Sequence, residues 1–214
     1  GVPVLGTIFF PPNVYGGRRN WVDQLLRKDK NGQFIIGDKL IEIADYYGFD
    51  GWFINQETEG CSEKHAILMI EFLEYIKSKK PELIIVWYDS MAKDGNIAWQ
   101  GELNENNIIY LVDEKSNKKR ADAIFLDFRW QSLQREATIE NTLQNMEKYS
   151  LEPKDVFVGM DLQASGFYTA INWPKLLNTD GTLKLSLGLY CPSWSYYDSK
   201  KIEEYWSKDE ALWL

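Results

Sequence analysis

Histidine and cysteine are almost absent from this 214-residue sequence. His65 is the only histidine, which excludes a zinc site built from several histidines and leaves little room for a Ser-His-Asp triad. It lies in an apolar helical run, where we expect a structural or surface role. Cys61 and Cys191 stand too far apart in the sequence to indicate a disulfide framework or a CxxC metal site. We therefore predict neither a bound metal nor a cofactor.

Long apolar runs and an excess of positive charge are also missing. No apolar stretch approaches the roughly 20 residues that a membrane-spanning helix needs. The net charge is -8, whereas proteins that bind a polyanion gain most of their affinity from Lys and Arg. We therefore expect neither membrane insertion nor nucleic-acid binding.

Aromatic residues, in contrast, are abundant. They make up 14% of the sequence and include nine Trp and twelve Tyr, more than a core of this size normally needs. Flat amphipathic rings stack on the apolar faces of sugars and of bases. Because the charge disfavours nucleic acid, a neutral carbohydrate is the ligand that fits best.

Short β-branched or aromatic runs alternate with longer segments of helical period, a pattern typical of βα units with a parallel sheet. Six strands are predicted, at residues 2–9, 51–56, 83–88, 123–128, 156–161 and 185–190. Their starts recur every roughly 30 to 50 residues, the pace of a (β/α)8 barrel. We predict a single α/β domain over residues 1–214, a TIM barrel represented by about six of its eight βα units. Two strands are expected upstream, because an apolar first strand would otherwise form an exposed parallel edge.

Helical periodicity predicts the segments that cover these strands. The predicted helices lie at residues 21–27, 38–47, 62–79, 138–149, 172–177 and 202–206. A hairpin is predicted where the apolar run 107–112 meets the charged run 113–120, which we interpret as a surface turn.

The most informative segment is residues 49–60, an apolar strand that turns abruptly polar at its carboxyl end. In parallel barrels that end is the functional face. Successive side chains of a strand point to opposite faces, so Asn55 and Glu57 should project the same way, with Cα atoms roughly 7 Å apart. Trp52 and Phe53 should flank them. An amide and a carboxyl group side by side suit a reaction that needs one oriented dipole and one proton donor.

Other predicted strands also end in polar or aromatic residues. They are Tyr88 with Asp89, Asp127 with Trp130, Asp161 with Gln163, and Trp194. Each of them alone could serve ordinary packing or capping, and the run that contains Glu57 could be a solvated loop. Several such groups at one end of a barrel favour a binding or catalytic site.

In this order the segments resemble glycoside hydrolase family 85, the endo-β-N-acetylglucosaminidases. Residues 1–7 resemble the third barrel strand of the family, and residues 49–58 resemble the fourth strand with its Asn-x-Glu pair. Residues 87–91, 98–104 and 189–194 resemble the fifth strand, the loop of the fifth unit and the last strand. The aromatic Asp-Gly strand that ends in Asn-x-Glu is the most specific of these motifs, and the resemblance spans nearly the whole chain.

The resemblance implies an enzyme that cleaves the GlcNAc-β1,4-GlcNAc core of N-linked glycans with retention of configuration. In the family, the 2-acetamido oxygen of the substrate replaces the nucleophilic carboxylate of most retaining glycosidases and forms an oxazoline. By the same resemblance, Glu57 would protonate the leaving GlcNAc and then activate water. Asn55 would hold the acetamide N–H, and Tyr88 would steady the acetamide group. Transglycosylation is a further activity that the resemblance implies.

The resemblance also implies which residues contact the glycan. They are Trp52, Trp99, Asp127, Phe128, Trp130, Asp161 and Trp194. Whether Phe128 or Trp130 meets the sugar stays open at this stage. The expected partners are the N-glycans of glycoproteins and the remaining barrel segment of the same protein. For a bacterial enzyme, such substrates imply secretion or display at the cell surface, with the cytoplasm as the alternative.

Two other functions compete with this interpretation. A glycan-binding barrel without catalytic activity would share the aromatic residues but would not need Glu57. A serine hydrolase could use Ser90 and Lys93 as an S-x-x-K pair, although the S-D-N and K-T-G partners of that pattern are missing from the sequence.

Overall fold

The computed structural model describes residues 1–132, 134–135 and 137–213. Six strands form one parallel sheet, in which each strand pairs with the next one along the chain. They are β1 (Leu5–Phe10), β2 (Gly51–Gln56), β3 (Ile84–Tyr88), β4 (Ala123–Leu126), β5 (Val156–Asp161) and β6 (Ser186–Tyr190). Parallel strands in chain order, alternating with helices, are the arrangement of a TIM barrel. The predicted α/β fold is therefore confirmed.

The helices follow the strands in the order of the βα units. They are α1 (Arg19–Leu25), α2 (Ile35–Tyr47), α3 (Glu63–Lys79), α4 (Ile108–Leu111), α5 (Thr138–Lys148), α6 (Trp173–Leu176), α7 (Trp194–Tyr197) and α8 (Ile202–Trp213). Short 3-10 turns lie at Asn13–Tyr15, Phe128–Gln131, Pro153–Asp155 and Gly166–Tyr168. Within the described residues, no helix is long and apolar enough to cross a membrane.

Helix α3 illustrates how the outer layer is built. Ser62 and His65 form a capping box at its start, in which His65 Nδ1 accepts the Ser62 N–H at 3.1 Å. His65 Nε2 also contacts Asp23 Oδ1 at 2.9 Å, so this histidine has the structural role expected of it. The side chains of α3 that enter the core recur at helical spacing. They are Ala66, Met69, Phe72, Leu73 and Ile76.

Strand β2 separates the outer core from the interior of the barrel. Gln56 is completely buried on the outer side, and Trp52 lies over Gly6 of β1, where a Cβ atom would come within 2.4 Å of the indole ring. Phe53 points to the interior, where its ring meets Phe125 edge-on at 5.8 Å. The inner face of the sheet therefore presents aromatic rings, and the outer face packs into the core.

Four strands differ in extent from the sequence prediction, and two of them, β3 and β6, only begin one residue later than predicted. Strand β1 begins at Leu5 instead of residue 2. Strand β4 ends at Leu126 instead of residue 128, because the Asp127 carboxylate accepts the Arg129 N–H at 3.0 Å and starts a 3-10 turn. Asp127 therefore acts as the cap of this turn, and the alternation of a strand does not continue beyond it.

The predicted hairpin is wrong in its first half. Residues 108–111 form helix α4, in which Tyr110 stacks on Trp87 at a centroid distance of 4.4 Å. Neighbouring residues of this segment are buried together, which a strand with one exposed face would not allow. An antiparallel bridge between Val112 and Lys119 closes the turn that follows. Helix α8 also runs beyond its predicted end at residue 206 and reaches Trp213.

Candidate active site

A cavity of about 780 Å³ occupies the interior of the barrel and its carboxyl end. Side chains from all six strands line it. Its apolar wall includes Leu5, Val86, Phe125, Phe157 and Leu187. Many of its polar groups lie at or just beyond the ends of strands, and they include Asn55, Glu57, Tyr88, Asp127, Arg129, Asp161 and Gln163. The shape and the lining suit a ligand with apolar faces and hydroxyl groups, as a sugar has.

Asn55 and Glu57 project into this cavity side by side, as the alternation along β2 predicts. Asn55 Nδ2 donates a hydrogen bond of 2.8 Å to Glu57 Oε1. Gln56 points to the opposite face, where its Nε2 donates to the Thr58 carbonyl oxygen at 2.9 Å. The amide and the carboxyl group are therefore held together by a direct hydrogen bond.

The second oxygen of Glu57 is held by Trp99. The indole Nε1–H of Trp99 donates to Glu57 Oε2 at 2.9 Å, and the ring also lines the cavity. One N–H group thus contacts each carboxyl oxygen, with Asn55 on one side and Trp99 on the other. The carboxyl group is fixed in orientation, which general acid catalysis requires.

Asn55 also carries a buried acceptor that is not satisfied. Its Oδ1 has no hydrogen-bond partner within the described residues. A buried polar atom left unpaired costs about 1 to 3 kcal/mol, and such atoms in native structures call for an explanation. A ligand N–H group that reached this oxygen would remove the cost.

Tyr88 and Asp127 form a second hydrogen-bonded pair in the cavity. The Tyr88 hydroxyl donates to Asp127 Oδ2 at 3.0 Å. Burial raises the pKa of Tyr88 far above its ordinary value, and the negative charges of Asp127 and Glu57 add to this shift. The phenol therefore stays protonated and serves as a neutral donor.

Arg129 is a site residue that the sequence analysis did not identify. Its Nη1 donates to Asp127 Oδ1 at 2.9 Å, and its guanidinium lies 4.6 Å from the centroid of the Trp99 ring. A cation over an aromatic face is attracted by the electrons of the ring. Its position two residues after Asp127, at the end of a predicted strand, could have indicated a site residue. The sequence does not show the 3-10 turn, so it could not predict which side chain after Asp127 faces the cavity.

Of the two aromatic candidates after β4, Phe128 is the one that lines the cavity. Its ring lies 5.6 Å from that of Tyr190, which is also part of the lining. Trp130 is completely buried, and its indole N–H donates to the Gly159 carbonyl oxygen at 2.7 Å. The structure therefore places Trp130 in the core and outside the lining of this cavity, where the resemblance implied a contact with the sugar. Asp161, in contrast, lines the cavity as expected.

Two other predicted contact residues also lie outside the cavity lining. Trp52 is buried on the outer side of β2, where it meets Phe49 edge-on at 5.6 Å. Trp194 is buried against Phe167 at 5.0 Å and lies under the Lys208 ammonium group. The structure therefore places both rings in packing contacts outside the cavity lining, where the resemblance implied contacts with the sugar.

Asp89 supports the site from the core. Its Oδ2 accepts the Gly101 N–H at 2.7 Å, and its Oδ1 accepts the Asn107 amide N–H at 2.7 Å. Burial raises the pKa of Asp89 to about 8, although these donors oppose the shift. The bonds tie the loop that carries Trp99 to the end of β3.

Ser90 and Lys93 do not form a nucleophilic pair. The Ser90 hydroxyl is buried and donates to the Gln56 carbonyl oxygen. The Lys93 ammonium group pairs with Glu105 at the surface, at 3.1 Å. Both side chains have structural partners outside the cavity lining, which argues against the serine hydrolase reading.

Comparison with known proteins identifies the family. The model of glycosyl hydrolase family 85 matches residues 1–214. A cytosolic endo-beta-N-acetylglucosaminidase from Homo sapiens is 30% identical over 224 aligned positions, which cover 100% of this chain and 27% of the relative. A protein of the same name from Danio rerio is 30% identical over 184 positions, which cover 82% of this chain and 24% of the relative.

A solved structure is also similar over almost the whole chain. The glycoside hydrolase domain of Endo-D from Streptococcus pneumoniae superposes with a TM-score of 0.85 at 34% identity, covering 97% of this chain and 33% of that chain. This chain thus spans about a quarter of the two relatives and a third of the solved structure. The matches in sequence and in fold lead to the same conclusion: the chain belongs to glycosyl hydrolase family 85.

Proposed function

We propose that this chain carries the catalytic residues of an endo-β-N-acetylglucosaminidase that cleaves the GlcNAc-β1,4-GlcNAc core of N-linked glycans. The names of the relatives support this activity. The observation that carries the proposal is the Glu57 carboxyl group, held between the Asn55 amide and the Trp99 indole inside an aromatic cavity. Such an arrangement suits an acid that must deliver a proton in a fixed direction.

The nucleophile is proposed to be the substrate itself. A retaining glycosidase with a protein nucleophile needs a second carboxylate about 5 Å from the acid. Beside Glu57 stands an amide, Asn55. Asp127 already accepts hydrogen bonds from Tyr88 and Arg129, and Asp161 lies three strands away from β2. The 2-acetamido oxygen of the sugar is then the group that can attack the anomeric carbon.

In the first step, this oxygen forms a bond to the anomeric carbon while the bond to the leaving GlcNAc oxygen breaks. Glu57 gives its proton to that leaving oxygen and becomes a carboxylate, while the acetamide nitrogen keeps its own proton, so the ring that forms is the protonated oxazoline, an oxazolinium ion. In the second step, Glu57 takes a proton from water, whose oxygen opens the ring at the anomeric carbon. Two inversions give net retention. Transfer to a sugar hydroxyl in place of water gives the proposed transglycosylation.

Asn55 and Tyr88 are proposed to hold the acetamide group. Asn55 Oδ1, which has no hydrogen-bond partner within the described residues, is proposed to accept the acetamide N–H. Because this oxygen is enclosed, the Asn55 side chain would first rotate slightly. Tyr88 remains a neutral phenol anchored at Asp127 and supports the group from the next strand. Holding the internal nucleophile close to the anomeric carbon is worth several powers of ten in rate.

The proposed glycan contacts are the groups that line the cavity. They are Trp99, Asp127, Phe128 and Asp161. The Arg129 guanidinium covers one face of the Trp99 ring, so a sugar would stack on the other face.

Closure of the barrel is part of the same proposal. Within the described residues, β1 and β6 each pair with a single strand. A (β/α)8 barrel has no unpaired edges. We therefore propose that a further segment of the same protein pairs with both strands and completes the wall of the cavity. Activity should accordingly be measured on the full-length protein.

The relatives also bear on location. Those from Homo sapiens and Danio rerio are called cytosolic, so the predicted secretion or surface display receives no support from them. The cytoplasm, which was the alternative, is the location that these names favour. Fractionation of the source cells, followed by detection of the protein with an antibody, tests it.

Substitution of the acid tests the proposed activity. Glu57→Gln keeps the shape of the side chain and removes the transferable proton, so we expect hydrolysis to fall by about a hundred- to ten-thousandfold while glycan binding persists. The assay is mass spectrometry of a treated glycoprotein, in which cleavage leaves a single GlcNAc on the asparagine. Glu59→Gln is the matched control, because Glu59 follows on the same loop and bonds the Asn13 N–H outside the cavity. Unchanged turnover in Glu57→Gln would refute the assignment, and glycan binding by an inactive wild type would favour the glycan-binding barrel.

A further inference from the structure

We infer that Arg129 is a positioning residue for the proposed acid, because it fixes the Trp99 ring in the orientation that places the indole N–H on Glu57. The inference rests on the proposed function and extends it to a residue that need not touch the reacting atoms. It follows from an uninterrupted set of contacts that runs from Asp127 through Arg129 and Trp99 to Glu57.

Arg129 is itself firmly anchored at one end. Its backbone N–H donates to Asp127 Oδ1 at 3.0 Å, and its Nη1 donates to the same oxygen at 2.9 Å. Asp127 is almost completely buried, and its other oxygen is occupied by the Tyr88 hydroxyl. These two hydrogen bonds to Asp127 hold the guanidinium over the Trp99 ring, 4.6 Å from the ring centroid.

The backbone around Trp99 is held by other groups. The Ala98 N–H donates to the Ser90 carbonyl oxygen at 2.8 Å, and the Gly101 N–H donates to Asp89 at 2.7 Å. Arg135 donates to the carbonyl oxygen of Trp99 itself. Replacement of Arg129 should therefore leave the loop in place and free only the side-chain torsions of Trp99. A rotation of the ring removes the N–H group from Glu57 Oε2.

The step of the reaction that Arg129 affects depends on which carboxyl oxygen of Glu57 loses its hydrogen bond. Asn55 holds Oε1, on the side proposed for the acetamide group, so Trp99 holds Oε2 on the side of the leaving sugar. Without Arg129 the carboxyl group keeps its first anchor and loses its second. Protonation of the leaving group becomes slower, whereas acetamide binding is unaffected. Because the Arg129 side chain is 48% exposed, its contact with the ring supports about a two- to fivefold loss in kcat.

The kinetic test compares leaving groups. Arg129→Met keeps the length of the side chain and removes its charge, and Arg129→Lys keeps the charge. In the full-length protein we expect Arg129→Met to lower kcat on a natural N-glycan by about two- to fivefold at unchanged KM. A glycoside with a nitrophenyl leaving group needs little protonation and should react almost normally, and Arg129→Lys should recover part of the loss. Arg18→Met is the matched control, because Arg18 covers the Trp21 ring at 5.7 Å outside the cavity.

A second readout needs no substrate. The indole N–H resonance of Trp99, assigned with Trp99→Phe, should shift in Arg129→Met and shift less in Arg129→Lys. An unmoved resonance would overturn the inference even if Glu57→Gln is inactive as proposed. An equal loss on both leaving groups, or a higher KM with unchanged kcat, would overturn it in favour of a structural or a substrate-contacting role. Full activity of Glu57→Gln would instead refute the proposed function, independently of the resonance.

Discussion

Tyr88→Phe removes a single oxygen atom from the centre of the site, and its consequences can be worked out from the structure. The Tyr88 ring packs beside Phe53 and Phe125 at centroid distances of 6.2 and 5.9 Å, and these contacts survive the substitution. The hydroxyl donates to the buried Asp127 Oδ2, which would lose this donor. The change therefore isolates one hydrogen bond in a cavity of otherwise constant shape.

The expected cost follows from the charge and burial of the acceptor. A hydrogen bond to a charged group contributes about 1.5 to 3 kcal/mol. Asp127 keeps two donors from Arg129 on its other oxygen, so we expect the loss in unfolding free energy to lie near the lower figure. Loss of the hydrogen bond between Tyr88 and Asp127 should also lower kcat/KM on an N-glycan by about tenfold, since 1.4 kcal/mol corresponds to a factor of ten.

Urea unfolding and steady-state hydrolysis measure the two effects. Tyr197→Phe is the control, because the Tyr197 side chain is exposed and its change should stay within about 0.5 kcal/mol. If Tyr88→Phe left both the midpoint of unfolding and kcat/KM at the values of the control, the buried pair of Tyr88 and Asp127 would have no energetic role, and the reasoning would fail.

Two further predictions concern the support of the site. Trp130→Ala should destabilise the fold by about 3 to 5 kcal/mol, because the ring is completely buried, whereas Phe128→Ala should chiefly raise KM for the glycan. Urea unfolding and kinetics of both variants distinguish the two roles, and a stable Trp130→Ala with weakened glycan binding would reverse them. The folded-state pKa of Asp89 is raised from 3.8 to about 8, so between these values the folded chain binds more protons than the unfolded chain. Wild-type stability relative to Asp89→Asn should therefore fall as the pH rises from about 4 to 8, and a difference independent of pH in urea unfolding would contradict this.

The sequence was most informative where a strand changes character abruptly. The bounds of β2 and β5 agree with the prediction, because each apolar run turns polar within its last two residues, at Asn55 and Gln56 in β2 and at Asp161 in β5. The alternation along β2 also placed Asn55 and Glu57 together, since the period of a strand is independent of its surroundings.

The aromatic residues of the site were harder to predict. Trp52 and Trp130 are as large and flat as Trp99, and only the tertiary structure decides which of them is covered by the core. Arg129 was missed for a related reason. The Asp127 side chain ends β4 by capping a turn, so counting alternate residues along the strand no longer indicates which side chains reach the cavity.

The central claim is that the substrate supplies the nucleophile and that Asn55 holds it, and Asn55→Ala tests this claim most directly. The measurement compares two rates in this one variant of the full-length protein, namely hydrolysis of a natural N-glycan and transfer of a preformed sugar oxazoline to a GlcNAc acceptor. Our account predicts that hydrolysis is lost, because the acetamide is no longer held in position to attack. It also predicts that oxazoline transfer continues, because Glu57 is still present as the base. Loss of both rates together, in a variant shown to be folded, would contradict the role assigned to Asn55.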